Sequence, residues 1–213
     1  MSERHEVETM RIAVIGAGKV GRALGARWTG VGHHVTYGVR DPGDPKHAGL
    51  PAVATVQEAV NEADAVLVAL PWQSTQGVVS SLDFGSAVII DATNPLAADA
   101  RDLSADPTLA GAELVRDWSR TKRVVKAFNS TGSANMNDPN YGSMRPMMPI
   151  AGDDPGAKQV VLDLARSIGF DAFDAGPLAA ARDLEHLAML WIRLAYSLGH
   201  GPHIAFALLR RPA

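Results

Sequence analysis

Short apolar runs rich in β-branched residues recur along the chain, and each is followed by a longer stretch in which apolar positions return every three or four residues. Continuous apolar runs read as strands buried on both faces. The 3.6-residue return reads as a helix laid over them, so the alternation predicts a mainly parallel sheet built from βαβ units. The first strand is Arg11–Ile15, followed by a helix over Lys19–Gly30 and a second strand at 35–38. Residues 41–51, DPGDPKHAGLP, are turn chemistry and predict a surface loop. Thr55 and Glu58 have the spacing of a capping box and open a short helix. Buried strands follow at 63–70, 87–91 and 123–128, which makes five.

Past Phe128 the periodicity stops, and residues 129–146 read as a long loop of the kind that serves a site. Regularity returns with strands at 147–152 and 170–176 around a helix over 154–169, with Asp153 or Asp154 at its cap. Helical text closes the chain over 178–198, and an apolar segment at 204–209 predicts a sheet-edge cover or a homodimer contact. A length of 213 residues suits one α/β domain over 11–213, with a helical extension from about 177 and a frayed tail at 1–10.

Composition narrows the partners. The net charge of −3 lacks the basic excess that nucleic-acid binding requires, and no cysteine is present for disulfide, iron–sulfur or thiol chemistry. Residues 1–10 carry no apolar leader core, and no later run has membrane-spanning length. The expectation is a cytoplasmic chain with no membrane partner.

The most informative stretch is GAGKVG, Gly16 to Gly21, between the first strand and its helix. In that setting Gly16 permits a tight turn, Gly18 lets backbone N–H groups approach a diphosphate, and Gly21 lets helix and strand pack closely. The anion then lies at a helix amino end formed by Ala17, Gly18, Lys19 and Val20, where free amides and the helix dipole favour negative charge. Val20 stands where a P-loop needs Ser or Thr, which sets that alternative aside. The second strand ends in Gly38, Val39 and Arg40. No carboxylate stands at the strand end to accept a ribose hydroxyl, and a guanidinium suits a 2′-phosphate, so NADP(H) is favoured over NAD(H). Asp41, one residue later, is the alternative ribose partner. Three more strand ends point to the same crevice: Leu70, Pro71 and Trp72 offer an apolar wall to a nicotinamide, and Thr93, Asn94 and Asn129 offer polar groups to its carboxamide.

With GVRDP, LPW, NP, VVKAFN and DAGPLAAARDLEHL added to the glycine motif, the chain resembles the F420-dependent NADP reductase family from Arg11 to its carboxyl end. The resemblance implies a compact Rossmann domain with a small carboxyl-terminal extension and a deazaflavin stacked on the nicotinamide. It also implies diphosphate binding by residues 16–20, 2′-phosphate binding by Val39 and Arg40, and a nicotinamide site at Leu70, Pro71, Trp72, Asn94 and Pro95, with Asn129 at the matching strand end. Val39 stands where F420-handling members often carry Ser. Similar sequences also form the nucleotide-binding part of ferric reductases.

Hydride transfer between two flat rings needs alignment more than an acid, because the acceptor ring spreads the charge. No catalytic side chain is therefore expected, and whether Lys126 or a histidine donates a proton stays open. The predicted function is an NADPH-dependent oxidoreductase using a flavin-like or F420-type acceptor. The alternatives are reduction of a small imine, quinone or carbonyl, or an NADP(H)-sensing module without turnover. His186, His200 and His203 lack metal-ligand spacing, so no metal is expected.

Overall fold

The computed structural model describes residues 9–97, 102–103 and 109–211. The seven predicted strands form and are joined by one other in an eight-stranded sheet of order β3-β2-β1-β4-β5-β6-β7-β8. Its members are β1 Arg11–Ile15, β2 His34–Val39, β3 Val53–Thr55, β4 Ala65–Val68, β5 Val88–Asp91, β6 Val124–Lys126, β7 Met147–Gly152 and β8 Asp171–Gly176. The first six are mutually parallel, β7 runs antiparallel to β6, and β8 is parallel to β7. Among the first six, the order 3-2-1-4-5-6 is that of a doubly wound dinucleotide sheet.

The sheet is covered on both faces because successive strand side chains alternate. In β1, Ile12 and Val14 enter one core with Leu24, Trp28, Leu67 and Phe128, while Ala13 and Ile15 enter the other with Val66, Val79 and Ile89. Helices α1 (Lys19–Gly30), α5 (Ser133–Asn137) and α6 (Pro155–Ser167) contribute to the first core. The second is roofed by α2 (Val56–Asn61), α3 (Trp72–Val79), α4 (Gly111–Ser119) and α7 (Ala181–Ile192). Two-sided burial is why these strands lack polar alternation.

Several expectations change in detail. Strand β3 was not anticipated, because three residues leading into a capping box carry little pattern. The stretch 129–146 is not structureless: Ser133–Asn137 makes one helical segment within it. The closing helix divides into a 3-10 turn at Leu178–Ala180, α7, and a π-helical segment at Arg193–Ser197. Residues 204–209 form no regular element but lie against the sheet, the Met147 amide donating to the Phe206 carbonyl at 2.9 Å. Asp154 caps α6, accepting from the Ala157 amide at 2.7 Å, while Asp153 accepts from the Leu178 amide. Of the expected tail, residues 1–8 lie outside the described residues; Met10 is tied down, its amide donating to His33 Nδ1 at 3.2 Å. Among the described residues no helix is long and apolar enough to cross a membrane, and no group of three or more His, Asp or Glu could hold a metal ion.

Candidate functional site

The chain changes direction across the sheet between β1 and β4, and the carboxyl ends of these parallel strands border a crevice. Gly16 opens it at φ +106°, and a Cβ there would strike the Ala69 carbonyl oxygen. Gly21 lies so close to the Gly16 carbonyl that no side chain fits. Gly18 differs, since a Cβ built on it meets no atom within 4 Å. Its bareness leaves open space in front of the helix end rather than room for another part of the fold. Helix α1 also has no side-chain cap, whereas α2 is capped by Thr55 with Glu58 and α6 by Asp154. Uncapped amides facing open space at the start of a 12-residue helix fit a diphosphate. Lys19 is exposed beside them, and Ala17 and Val20 pack partly on the core.

At the end of β2, Gly38 is covered by α2, a Cβ on it lying 3.1 Å from Val56 Cα, and Val39 is buried. Arg40 is exposed and makes no ion pair or side-chain hydrogen bond among the described residues. Asp41 turns into its own loop and accepts from the Gly43 amide at 3.0 Å. The free guanidinium, rather than that carboxylate, is the uncommitted polar group of the strand end.

Three further strand ends complete the edge. Leu70 approaches Gly16, with Leu70 Cδ2 3.2 Å from where a Cβ would stand, and Pro71 is exposed beside it. Trp72 stacks on Trp118 of α4 with ring centroids 5.2 Å apart, so its ring braces α3 on α4. Asn94 and Asn129 bind each other: Asn94 Nδ2 donates to the Asn129 carbonyl and Asn129 Nδ2 to Asn94 Oδ1, both at 3.0 Å. Asn129 Nδ2 also donates to the Leu184 carbonyl of α7. Pro95 packs on Gly111. Thr93 is turned inward, its hydroxyl donating to Asp91 Oδ1 at 2.7 Å, and does not present that group to the crevice. Between Lys126 and Asn129 the buried Phe128 adopts φ +58°, a left-handed conformation that costs a non-glycine residue about 1–2 kcal/mol. Its ring, edge-on to Trp28 and Phe170, holds the reversal that turns Asn129 to the edge.

Directly beneath lies an ionic network that the sequence reading missed. Lys126 Nζ donates to Asp91 Oδ2 at 3.0 Å and to the Thr93 carbonyl at 2.6 Å, and pairs with Glu185 Oε1 at 2.9 Å. The Lys126 and Asp91 side chains are 0% exposed and that of Glu185 2%. Burial alone pushes the ammonium down, but Asp91 and Glu185 outweigh it and hold Lys126 above the ordinary lysine value. Glu185 Oε2 accepts from the Gly111 amide, so the carboxylate also takes up the free amino end of α4. Lys126 thus makes two hydrogen bonds and one further ion-pair contact. A signal existed: Asp91, Lys126 and Glu185 are charges within patterns that otherwise read as buried, and buried charges need partners. On the opposite, amino edge, a hollow of about 560 Å3 lined by Arg11, Asp64 and Arg123 has its cations paired, Arg11 with Glu62 and Asp64, Arg123 with Asp154.

A doubly wound sheet whose first crossover opens bare amides at its switch point defines a Rossmann-type dinucleotide-binding protein. More particularly, residues 11–95 match the family described as NADP oxidoreductase, coenzyme F420-dependent. Over 188 residues, 85% of this chain, it is 30% identical to metalloreductase STEAP3 of Rattus norvegicus. The chain spans only 37% to 39% of the length of the metalloreductases it matches. A crystal structure provisionally assigned as an F420-dependent NADP-reductase from Arthrobacter sp. FB24 superposes with TM-score 0.81 at 28% identity, covering 94% of this chain and all of that one. A reductive aminase from Aspergillus terreus in complex with NADPH, 15% identical with TM-score 0.65 over 90% of this chain and 63% of its own, shares the fold.

Proposed function

We propose that the protein is an NADPH-dependent oxidoreductase that passes hydride between the nicotinamide and a flat ring acceptor, a flavin or the deazaflavin F420. The observation that carries this reading is an uncapped helix end facing open space at Gly18, with an unpaired guanidinium at Arg40 one strand away. The amides of Gly18, Lys19 and Val20 receive the diphosphate, and Arg40 takes the 2′-phosphate in a two-pronged contact beside Gly38 and Val39. Leu70 and Pro71 supply the apolar wall for the nicotinamide, with Trp72 bracing the helix behind it. Asn94, Pro95 and Asn129 close the other side and orient the carboxamide.

When bound, NADPH supplies the hydride. The chain's own share is alignment and exclusion of water. Lys126 is fully buried, hydrogen-bonded to Asp91 and the Thr93 carbonyl and ion-paired with Glu185, so the proton that balances the reduced ring comes from solvent. The likeness to metalloreductases favours one second reading, in which the electrons end on a metal ion. Hydride carries two electrons and a ferric ion takes one, so a flavin must then stand between them.

The test is NADPH oxidation followed by the loss of its nicotinamide absorbance, with F420, FMN, FAD and riboflavin offered in turn. Acceleration by at least one of these is expected. Tight NADPH binding with no acceptor turned over, in a wider screen of quinones and imines as well, would leave a nucleotide-sensing module. A homodimer through residues 204–209 and a cytoplasmic setting accompany this proposal, and sedimentation tests the first.

A further inference from the structure

We infer that Arg22 is a specificity-determining residue of the nucleotide site, a second guanidinium that binds the adenosine 2′-phosphate while coupling the diphosphate turn to the loop after β2. The inference rests on the nucleotide reading above. Arg22 lies in the first turn of α1 and is half-buried. Its Nε donates to the Ala17 carbonyl and its Nη2 to the Lys46 carbonyl, both at 2.8 Å. Those carbonyls belong to the glycine turn and to the loop after β2. The strand register leads to the same edge: Ile15, after which the glycine turn opens, pairs with Gly38, two residues before Arg40.

Both contacts of Arg22 are to neutral carbonyls. No carboxylate pairs with it among the described residues, and its Nη1 makes no hydrogen bond there. Arg40 at the same corner is likewise unneutralised, whereas the neighbouring Lys46 is paired with Asp44. Burial pushes the hydroxyl of nearby Tyr37 up, and the Arg22 charge offsets part of that rise. Two guanidinium groups without counter-ions, both still holding free N–H groups, suit a doubly charged phosphate, which takes several charge-assisted bonds in a fork geometry. The 2′-hydroxyl of NADH offers no such charge.

Calorimetry with NADPH and NADH on wild type, Arg22→Met and Arg22→Lys tests this. Loss of a charge-assisted contact predicts NADPH binding weakened about 10- to 100-fold in Arg22→Met, with NADH changed by less than about threefold. Arg22→Lys, which keeps the charge without the fork, recovers part of that loss. Equal weakening of both nucleotides makes Arg22 a loop staple only and overturns the inference, as does unchanged NADPH affinity. If Arg22→Met fails to fold by circular dichroism, Arg22→Lys decides alone: a fall in the NADPH-to-NADH affinity ratio supports the inference, and an unchanged ratio overturns it. Wild type that binds neither nucleotide instead refutes the nucleotide reading itself.

Discussion

Replacing Lys126 by Met tests the ionic network beneath the crevice. The substitution nearly preserves volume and removes one ammonium, leaving two enclosed carboxylates, 0% and 2% exposed, with no cation between them. The buried formal charge goes from −1 to −2. Removing one partner of a buried ion pair costs about 3–5 kcal/mol, chiefly because the other charge is left without compensation. With a urea dependence of about 3 kcal/mol per molar for a chain of this size, the unfolding midpoint falls by about 1–1.7 M. Adding Glu185→Gln returns the buried charge to −1 and leaves the amide oxygen able to accept from Gly111, so the double variant is more stable than Lys126→Met alone. The pH dependence has a definite sign. In wild type the folded lysine value is raised, so the stabilisation is fully present below the ordinary value of 10.5 and is lost as pH climbs through the raised folded value. Urea melts by circular dichroism at neutral, mildly acidic and alkaline pH measure all of this. A loss below about 1 kcal/mol at neutral pH, or a double variant weaker than the single, refutes the network as described.

Gly18→Val leaves the melting temperature unchanged, since its Cβ meets nothing in the fold, yet weakens NADPH binding at least about tenfold by filling the diphosphate space; calorimetry beside thermal melts separates the two effects. Gly21→Val has the opposite profile, because its side chain strikes the Gly16 backbone and Val14; stability falls by about 1–3 kcal/mol in urea melts, and an unaltered midpoint contradicts the packing described. Arg40→Ala weakens NADPH about 10- to 100-fold and NADH hardly at all; equal affinities of wild type and variant for NADPH remove its phosphate role.

How far the sequence carried depended on whether a feature was local. Strands β1, β4 and β5 are continuous apolar runs because both faces are covered, and the glycine turn declared itself because three glycines in six residues between strand and helix have few other uses. Strand β3 was invisible because its three residues pair with β2 through backbone alone and bury little. Helices α3 and α4 went unmarked, and the Trp72–Trp118 stack joining them turned an expected wall residue into a brace. Thr93 was read as a presented hydroxyl; a turn of two residues folds it onto Asp91 instead. Lys126, Asp91 and Glu185 were each visible as odd charges, but their meeting depends on the β5–β6 register and on α7 crossing that edge, and neither is written in any one stretch.

The same crossing changes what the carboxyl-terminal extension is. Read from sequence it is an appendage beginning near 177, but α7 performs two tasks for the crevice that no other element performs among the described residues. Through Glu185 it completes the ion network under Thr93 and takes up the Gly111 amide; through the Leu184 carbonyl it fixes Asn129, which in turn holds Asn94. Nearly two turns further on, Trp191 lies so tightly on Gly132 that no side chain fits there, and its Nε1 donates to the Ile204 carbonyl, which also receives Asn135 Nδ2. The loop after β6 is therefore clamped between α7 and the final segment. If the proposed transfer between two flat rings holds, this edge needs walls that do not drift by an ångström, and loops at strand ends are by default the mobile part of such a fold. Here the stiffness comes from the extension, so the glycine turn and the residues after 177 form one physical site although they are distant in sequence.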